Sequence, residues 1–347
     1  FIATLLVFIL DKIKGKVYEF DNLDRFFNSK SKIDLSFKNK YEFDETIELI
    51  SKTKLSDLIS QFGEAGGFVA SKVSTATSII NDMILEDCTK FVSFPADIMA
   101  TGTRGLMNQI VENNMADVVV TTCGTLDHDI ARVLADYYHG DFAMDDELLR
   151  EEGVNRLGNV LVPDDSYGIP IERWLQPILE ELYSKKKHWA PWEIWHELGL
   201  KILEEERGSE SFLGICAKKE IKVFVPGPTD GSVGSQLWLF WQSHKDFTLD
   251  IFGEEHQLSD IVHEAKSTGA VMIGGGISKH HTIWWNQFRD GLDYAVQVTT
   301  APEWDGSLSG ARVREAVSWG KVRSKARRIT VEGDATVLLP LIFGPLL

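Results

Sequence analysis

Cysteine is scarce in this 347-residue chain, which carries Cys88, Cys123 and Cys216 alone. None forms a CxxC pair. An odd, sparse set excludes a disulfide framework and points to a reducing, cytoplasmic setting. Positive charge is also short. Lys and Arg number 36 against 52 Asp and Glu, a formal net charge of −16. Such a surface repels nucleic acid and attracts cations, polyamines and basic protein loops among them. Plain solubility accounts for most of that charge. Membrane spans are not expected either. The apolar segment Phe1–Leu10 is too short to cross a bilayer, and neither a basic n-region nor a small-residue cleavage site accompanies it. It reads as an extraneous or truncated start, or as a docking segment. His280 and His281 are adjacent, but no third ligand lies at zinc spacing, so no metal site is expected.

What remains is ordinary for a globular enzyme, with 44% hydrophobic and 25% charged residues. The length allows one large domain or two. Residues 11–40 are charged and aromatic without clean periodicity. Tyr41–Phe62 carries apolar residues at helical spacing, Gly63–Gly67 breaks it, and Phe68–Leu85 reads as a second helix. Strand and helix then alternate. Lys90–Phe94 and Ala116–Thr121 read as strands, with helices at Ala100–Asn113 and Asp127–Tyr138. Gly140–Pro170 reads as loop with one strand, Asn159–Val162. Helices follow at Ile171–Lys186 and from Pro191 to Glu206, a strand at Val223–Val225, and helices at Ser235–His244 and Gln257–Thr268. Trp189, Trp192 and Trp195 are read as packing or subunit contact. The expectation is an α/β protein: a single Rossmann-like domain, residues 67–347, with a mainly parallel sheet flanked by helices. A partly helical extension, residues 1–66, precedes it.

Ala270–Lys321 organises the chain. The run Ala270–Ile273 is a buried strand that meets Gly274, Gly275 and Gly276, a turn where backbone can approach a ligand closely. The turn is neither GxGxxG nor a Walker A motif, and it fits a structural role as well as a nucleotide site. A second strand, Tyr294–Val298, ends on Thr299, Thr300 and Ala301. Ligands of open parallel sheets bind at strand carboxyl ends, so both loops are expected to line one crevice. Small residues at Thr122–Thr125 suit a phosphate or ribose contact in the same way. Asp230 suits a ribose hydroxyl or a turn cap. Asp127 suits an N-cap at a helix start or an amine contact. Lys321 follows Trp319 and Gly320. A lysine amine is a nucleophile only when unprotonated, and an aromatic wall that excludes water favours that form. A core Trp beside a solvated Lys is the plainer reading of the same three residues.

GGGISKHH (274–281), EWDGSLSGAR (303–312) and EAVSWGK (315–321) together resemble deoxyhypusine synthase, and the form of the motifs resembles its archaeal branch. PTDGSVG (228–234), TTCGTLDHDIAR (121–132), GVNRLGNVLVP (153–163) and GDATVLLPL (333–341) extend the resemblance over residues 72–341. It implies NAD as cofactor, held at Thr122, Cys123, Gly124, Asp230, Gly274, Gly275, Gly276, Thr300, Ala301, Asp334 and Ala335. Ala96-Asp97 stands where the family has Ser-Asn. It implies spermidine as donor. NAD takes a hydride beside the secondary amine, and Lys321 captures the aminobutyl group as an imine, with His280 as base or hydrogen-bond partner. One lysine of the translation initiation factor 5A precursor is the implied acceptor. Glu315, Trp319, Asp305, Gly306, Asp127 and His128 are the implied amine contacts, and a homotetramer is the implied assembly. Two family aspartates are missing, with Ser235 and Leu308 at the matching positions. Glu315 is therefore the expected main anchor, with Asp127 or Asp305 second. Homospermidine synthase, which delivers the same group to putrescine, is the alternative, followed by a non-catalytic NAD-binding paralogue.

Overall fold

The computed structural model describes residues 52–347 together with Thr46, Ile47 and Leu49. The expected extension and the first half of the expected helix Tyr41–Phe62 fall largely outside the described residues. Six apolar runs become strands of one sheet: Thr89–Ser93 (β1), Val118–Val120 (β2), Lys222–Phe224 (β3), Thr268–Ile273 (β4), Leu292–Thr299 (β5) and Val322–Glu332 (β6). Their order is β6-β5-β4-β1-β2-β3, with every neighbouring pair parallel. Read from the other edge, this is the 3-2-1-4-5-6 order of a doubly wound dinucleotide-binding fold. All six residues of β4 are buried, as expected of a parallel strand covered on both faces.

Alternation along the strands builds two cores. Val92, Val119, Val271 and Val296 point to one face and meet the Phe68–Leu85 and Cys123–Leu134 helices. Phe91, Val118, Ala270 and Ala295 point to the other and meet Leu258, Val262 and Ile283 of the Ile251–Glu264 and Gly276–Asn286 helices. Trp189 and Trp195 are buried in the first core, so they are packing residues of this chain. The Leu55–Ala65 helix packs on Phe68–Leu85, and a Cβ at Gly344 would lie 2.4 Å from Leu55.

Between residues 138 and 163 the chain has more order than the expected loop. Val154–Leu157 and Val160–Pro163 pair antiparallel, Tyr138–His139 joins them, and Asp146–Glu151 is a helix capped by Asp145. Gly158-Asn159 is the two-residue turn between the strands, with Gly158 at φ 61°, a conformation that glycine adopts at low cost. The helix Phe212–Lys218 was also unforeseen.

The sheet order reverses between β1 and β4. The loop after β1 and the glycine turn after β4 meet there, where a Cβ on Gly274 would sit 3.5 Å from Pro95. That junction is where a ligand binds in such sheets.

Candidate active site

Every segment expected to hold the cofactor leaves the carboxyl edge of the sheet. Thr122, Cys123 and Gly124 follow β2, Asp230 follows β3, Gly274–Gly276 follow β4, Thr300 and Ala301 follow β5, and Asp334 and Ala335 follow β6. Gly274 and Gly276 have φ of 68° and 63°, a left-handed backbone that side chains resist. The three glycines differ in what they face. A Cβ at Gly275 would lie 2.2 Å from Ser309 Cα, so the close approach there is to the chain's own loop. Around Gly276 there is open space. Gly124 packs against Ala96, and Cys123 is buried with its thiol donating to Pro228 O at 3.3 Å. Asp334 caps the Ala335–Phe343 helix by accepting from Thr336 N at 2.7 Å. Asp230 and Thr300 are exposed. Ser93, the last residue of β1, has a buried hydroxyl without a hydrogen-bond partner among the described residues. An open Gly276, small or polar residues at five strand exits and a buried hydroxyl beside the switch point fit a dinucleotide.

Asp127 and His128 serve elsewhere. The helix that carries them begins at Cys123, so Asp127 is not its N-cap. Asp127 is fully buried and instead accepts from Ser232 N at 2.7 Å and Val233 N at 2.8 Å, capping the Ser232–Ser243 helix across the fold. Tyr167 OH adds a third bond at 2.8 Å. Burial raises the Asp127 carboxyl despite the two backbone donors. His128 bonds Tyr137 OH through Nδ1 at 2.9 Å, and burial, then Arg132, pushes its imidazole down to about 4. Neither residue lines the cavity that holds Lys321.

That cavity, about 290 Å³, lies between the Gly276–Asn286 helix and the Leu308–Lys321 segment. Lys321 sits just before β6 and is 8% exposed. Its Nζ lies 5.2 Å from the centre of the Trp319 ring and 5.4 Å from that of Trp284, so two indole faces bracket one amine. His280 stacks on Trp284 at 5.7 Å, one helical turn away. Burial lowers the His280 imidazole, and Lys321, His281 and Lys279 add to the effect by charge, which keeps it a neutral base. Glu315 is the one carboxylate among the lining residues, and it is exposed. Leu308 closes the wall where the family carries an acid. Asp305 lies outside the cavity on an exposed tip, where it accepts from Ser307 N at 2.7 Å, and Gly306 is beside it in a left-handed conformation. The expected second carboxylate is therefore absent from this cavity.

Two lining residues went unread in the sequence. Trp284 stands four residues after His280, a spacing that places both on one helix face. Lys279 is 3% exposed, and its Nζ donates to Leu308 O at 2.8 Å and to Ala311 O. Burial pushes its ammonium down to about 8, opposed by Glu315 and helped by Arg312. No sequence pattern distinguishes that lysine from a surface one. The loop it holds is pinned a second time, by Gln297 and Thr299 donating to Ser309 O at 3.0 Å each. Thus the Gly276–Asn286 helix links the two halves of the site. Its first residue is at the carboxyl edge of the sheet, and Trp284, eight residues or about 12 Å along, is at the lysine.

The family model for deoxyhypusine synthase matches residues 57–345. A relative from Thermoplasma acidophilum, named a probable deoxyhypusine synthase, is 57% identical over 301 residues, covering 87% of this chain and 96% of its own. Relatives of the same name from Picrophilus torridus and Ignicoccus hospitalis are 56% and 45% identical, each over 87% of this chain and 96% and 95% of their own. A solved structure from Entamoeba histolytica that carries the family's name shares the fold, with a TM-score of 0.59 at 18% identity over 87% of this chain and 95% of that one. No helix among the described residues is long and apolar enough to cross a membrane. By motif, by whole-chain similarity and by fold, the chain belongs to the deoxyhypusine synthase family, alongside its archaeal members.

Proposed function

We propose that the chain is a transferase that moves the aminobutyl group of spermidine to one lysine of the translation initiation factor 5A precursor, with NAD as cofactor. The observation that carries this reading is Lys321, a nearly buried amine between two indoles, sharing a cavity with a neutral imidazole and a carboxylate. NAD would be held by the backbone of Thr122–Gly124, Gly274–Gly276, Thr300-Ala301 and Asp334-Ala335, with Asp230 on a ribose hydroxyl. When bound, it supplies a hydride acceptor for the carbon beside the secondary amine and a hydride donor at the end.

The residues of the chain do the rest. Glu315 pairs with an ammonium of the donor, a charge-assisted bond of about 1.5–3 kcal/mol. The indoles exclude water and hold cationic carbon and nitrogen by their faces. His280 takes the proton that Lys321 must lose before its amine can attack. A bond forms from Lys321 Nζ to the imine carbon, the bond from that carbon to 1,3-diaminopropane breaks, and the leaving amine keeps the proton. The acceptor lysine then displaces Lys321 by the same exchange. Leu308 and the lone carboxylate leave the donor's second cation unpaired within this cavity. Trp284 and Trp319 in the cavity lining are exposed, and exposed Phe288 packs on Trp284; such an apolar rim suits a second copy of the chain, as in a homotetramer. Light scattering at working concentration checks the assembly.

Incubation with NAD, labelled spermidine and either the factor precursor or putrescine tests the function. Label on the protein supports the reading. Label on a small amine alone would shift it to homospermidine synthesis, and no transfer at all would overturn both.

A further inference from the structure

The Gly276–Asn286 helix carries two matched pairs of side chains. His280 and Trp284, four residues apart, face the lysine cavity. His281 and Trp285, the next residue in each case, lie about 100° further round the helix. They face the Ile251–Glu264 helix, where a single side chain meets both. Glu255 accepts from Trp285 Nε1 at 2.5 Å, and its Oε2 lies 3.4 Å from His281 Nε2. The second contact is close enough for charge pairing but is not aligned as a hydrogen bond, and His281 Nε2 has no hydrogen-bond partner among the described residues. Burial raises the Glu255 carboxyl, but His281 and Trp285 outweigh it and hold the group below its ordinary range, so the carboxylate stays charged. Its helix is itself fixed: the neighbouring Glu254 accepts from Trp192 N at 2.7 Å, and Asp250 caps the first turn through Gly253 N.

We propose that Glu255 is a positioning residue, which sets the rotation of the Gly276–Asn286 helix and so the placement of His280 and Trp284 against Lys321. The geometry explains why one contact would matter. Side-chain tips stand some 5–6 Å from the helix axis, so a 10° rotation displaces them by about 1 Å. A displacement of that size costs on the order of 100-fold in rate when the group is catalytic. The start of the same helix is held separately, by the packing of Gly275 on Ser309, so a loosened far end swings the lysine cavity and leaves the cofactor edge in place. The inference rests on the reading of Lys321 as the nucleophile.

Glu255→Gln keeps an acceptor for Trp285 and loses the charge opposite His281, whereas Glu255→Leu loses both. We expect kcat for aminobutyl transfer to fall about 3-fold in the first and 30-fold or more in the second, with NAD affinity within twofold of the parent in each. Trp285→Phe should reproduce most of the loss, and Glu255→Leu with Trp285→Phe should be no worse than the worse single change. Lys321→Ala serves as the control. If Glu255→Leu keeps parental kcat while Lys321→Ala is inactive, the positioning role is wrong. If NAD affinity and melting temperature fall along with kcat in both Glu255 variants, the residue is merely structural and the proposal also fails. Full transfer by Lys321→Ala overturns the reading of the site, and the positioning role with it.

Discussion

Asp127 and Asp129 on one side of the switch point, and Lys279 and Lys321 on the other, are all buried, and their surroundings differ in kind. Asp129 accepts from Arg104 Nε at 2.8 Å, from Ser211 Oγ at 2.6 Å and from the N–H groups of Phe212 and Leu213 at 2.9 Å each. Asp127 has three donors of its own. Most of these donors are backbone N–H groups in the first turns of the Phe212–Lys218 and Ser232–Ser243 helices, so the acids lock helices that are remote in sequence. The lysines have carbonyl oxygens or indole faces for company and line a cavity. A buried charge whose partners are complete belongs to the fold. One that keeps an open side, as Lys321 does, is the kind the proposed chemistry needs.

The largest expected effect lies on the open side. Lys321→Ala should lower transfer about 1,000-fold or more while NAD affinity and stability change little. Borohydride reduction in the presence of spermidine and NAD should add mass at Lys321 and nowhere else. Retained transfer would erase the distinction between the two charge clusters. On the closed side the effect should fall on stability. Asp129→Ala removes one partner of a buried ion pair and should cost about 3–5 kcal/mol in denaturant unfolding. A variant as stable as its parent would show that the bond count around a buried acid says nothing about its role.

Glu315→Gln sharpens the comparison at the cavity mouth. It should raise the spermidine requirement about tenfold, or 1.4 kcal/mol, and leave NAD binding as it is. An unchanged requirement would mean that another carboxylate holds the donor. Glu254 is an intermediate case: buried, bonded to backbone N–H groups and without a cation beside it among the described residues. Burial raises its carboxyl from 4.5 to about 8. Because the folded form holds the proton more tightly, its contribution is fully present below pH 4.5 and is lost as the pH rises toward 8. Over that window the parent should lose about 1 kcal/mol per pH unit relative to Glu254→Gln. Parallel pH profiles of unfolding for the two proteins would remove Glu254 from the buried acids.

The sheet was largely legible in the sequence because parallel strands buried on both faces read as unbroken apolar runs, such as ADVVVT and AVMI. The site was legible where residues are close in sequence, as Trp319 is to Lys321. It was not legible where partners are distant. The backbone donors to Asp127 lie 105 and 106 residues on, so the LDHD turn could suggest a local cap or an amine contact but not its actual place beneath another helix. Lys279 and Trp284 could be approached only through the helical period running from His280. Of the hairpin around Gly158-Asn159, the strand read at Asn159–Val162 is present, and its partner Val154–Leu157 escaped because it is short and half polar, although the turn residues are a known signal.

The Gly276–Asn286 helix has a consequence for how this enzyme can change. It is a ruler of fixed length and fixed angle between the carboxyl edge of the sheet and Lys321. Adding or removing one residue within it would shift everything beyond by 1.5 Å and turn it by 100°. His280 and Trp284 would then leave the cavity together, and His281 and Trp285 would leave Glu255.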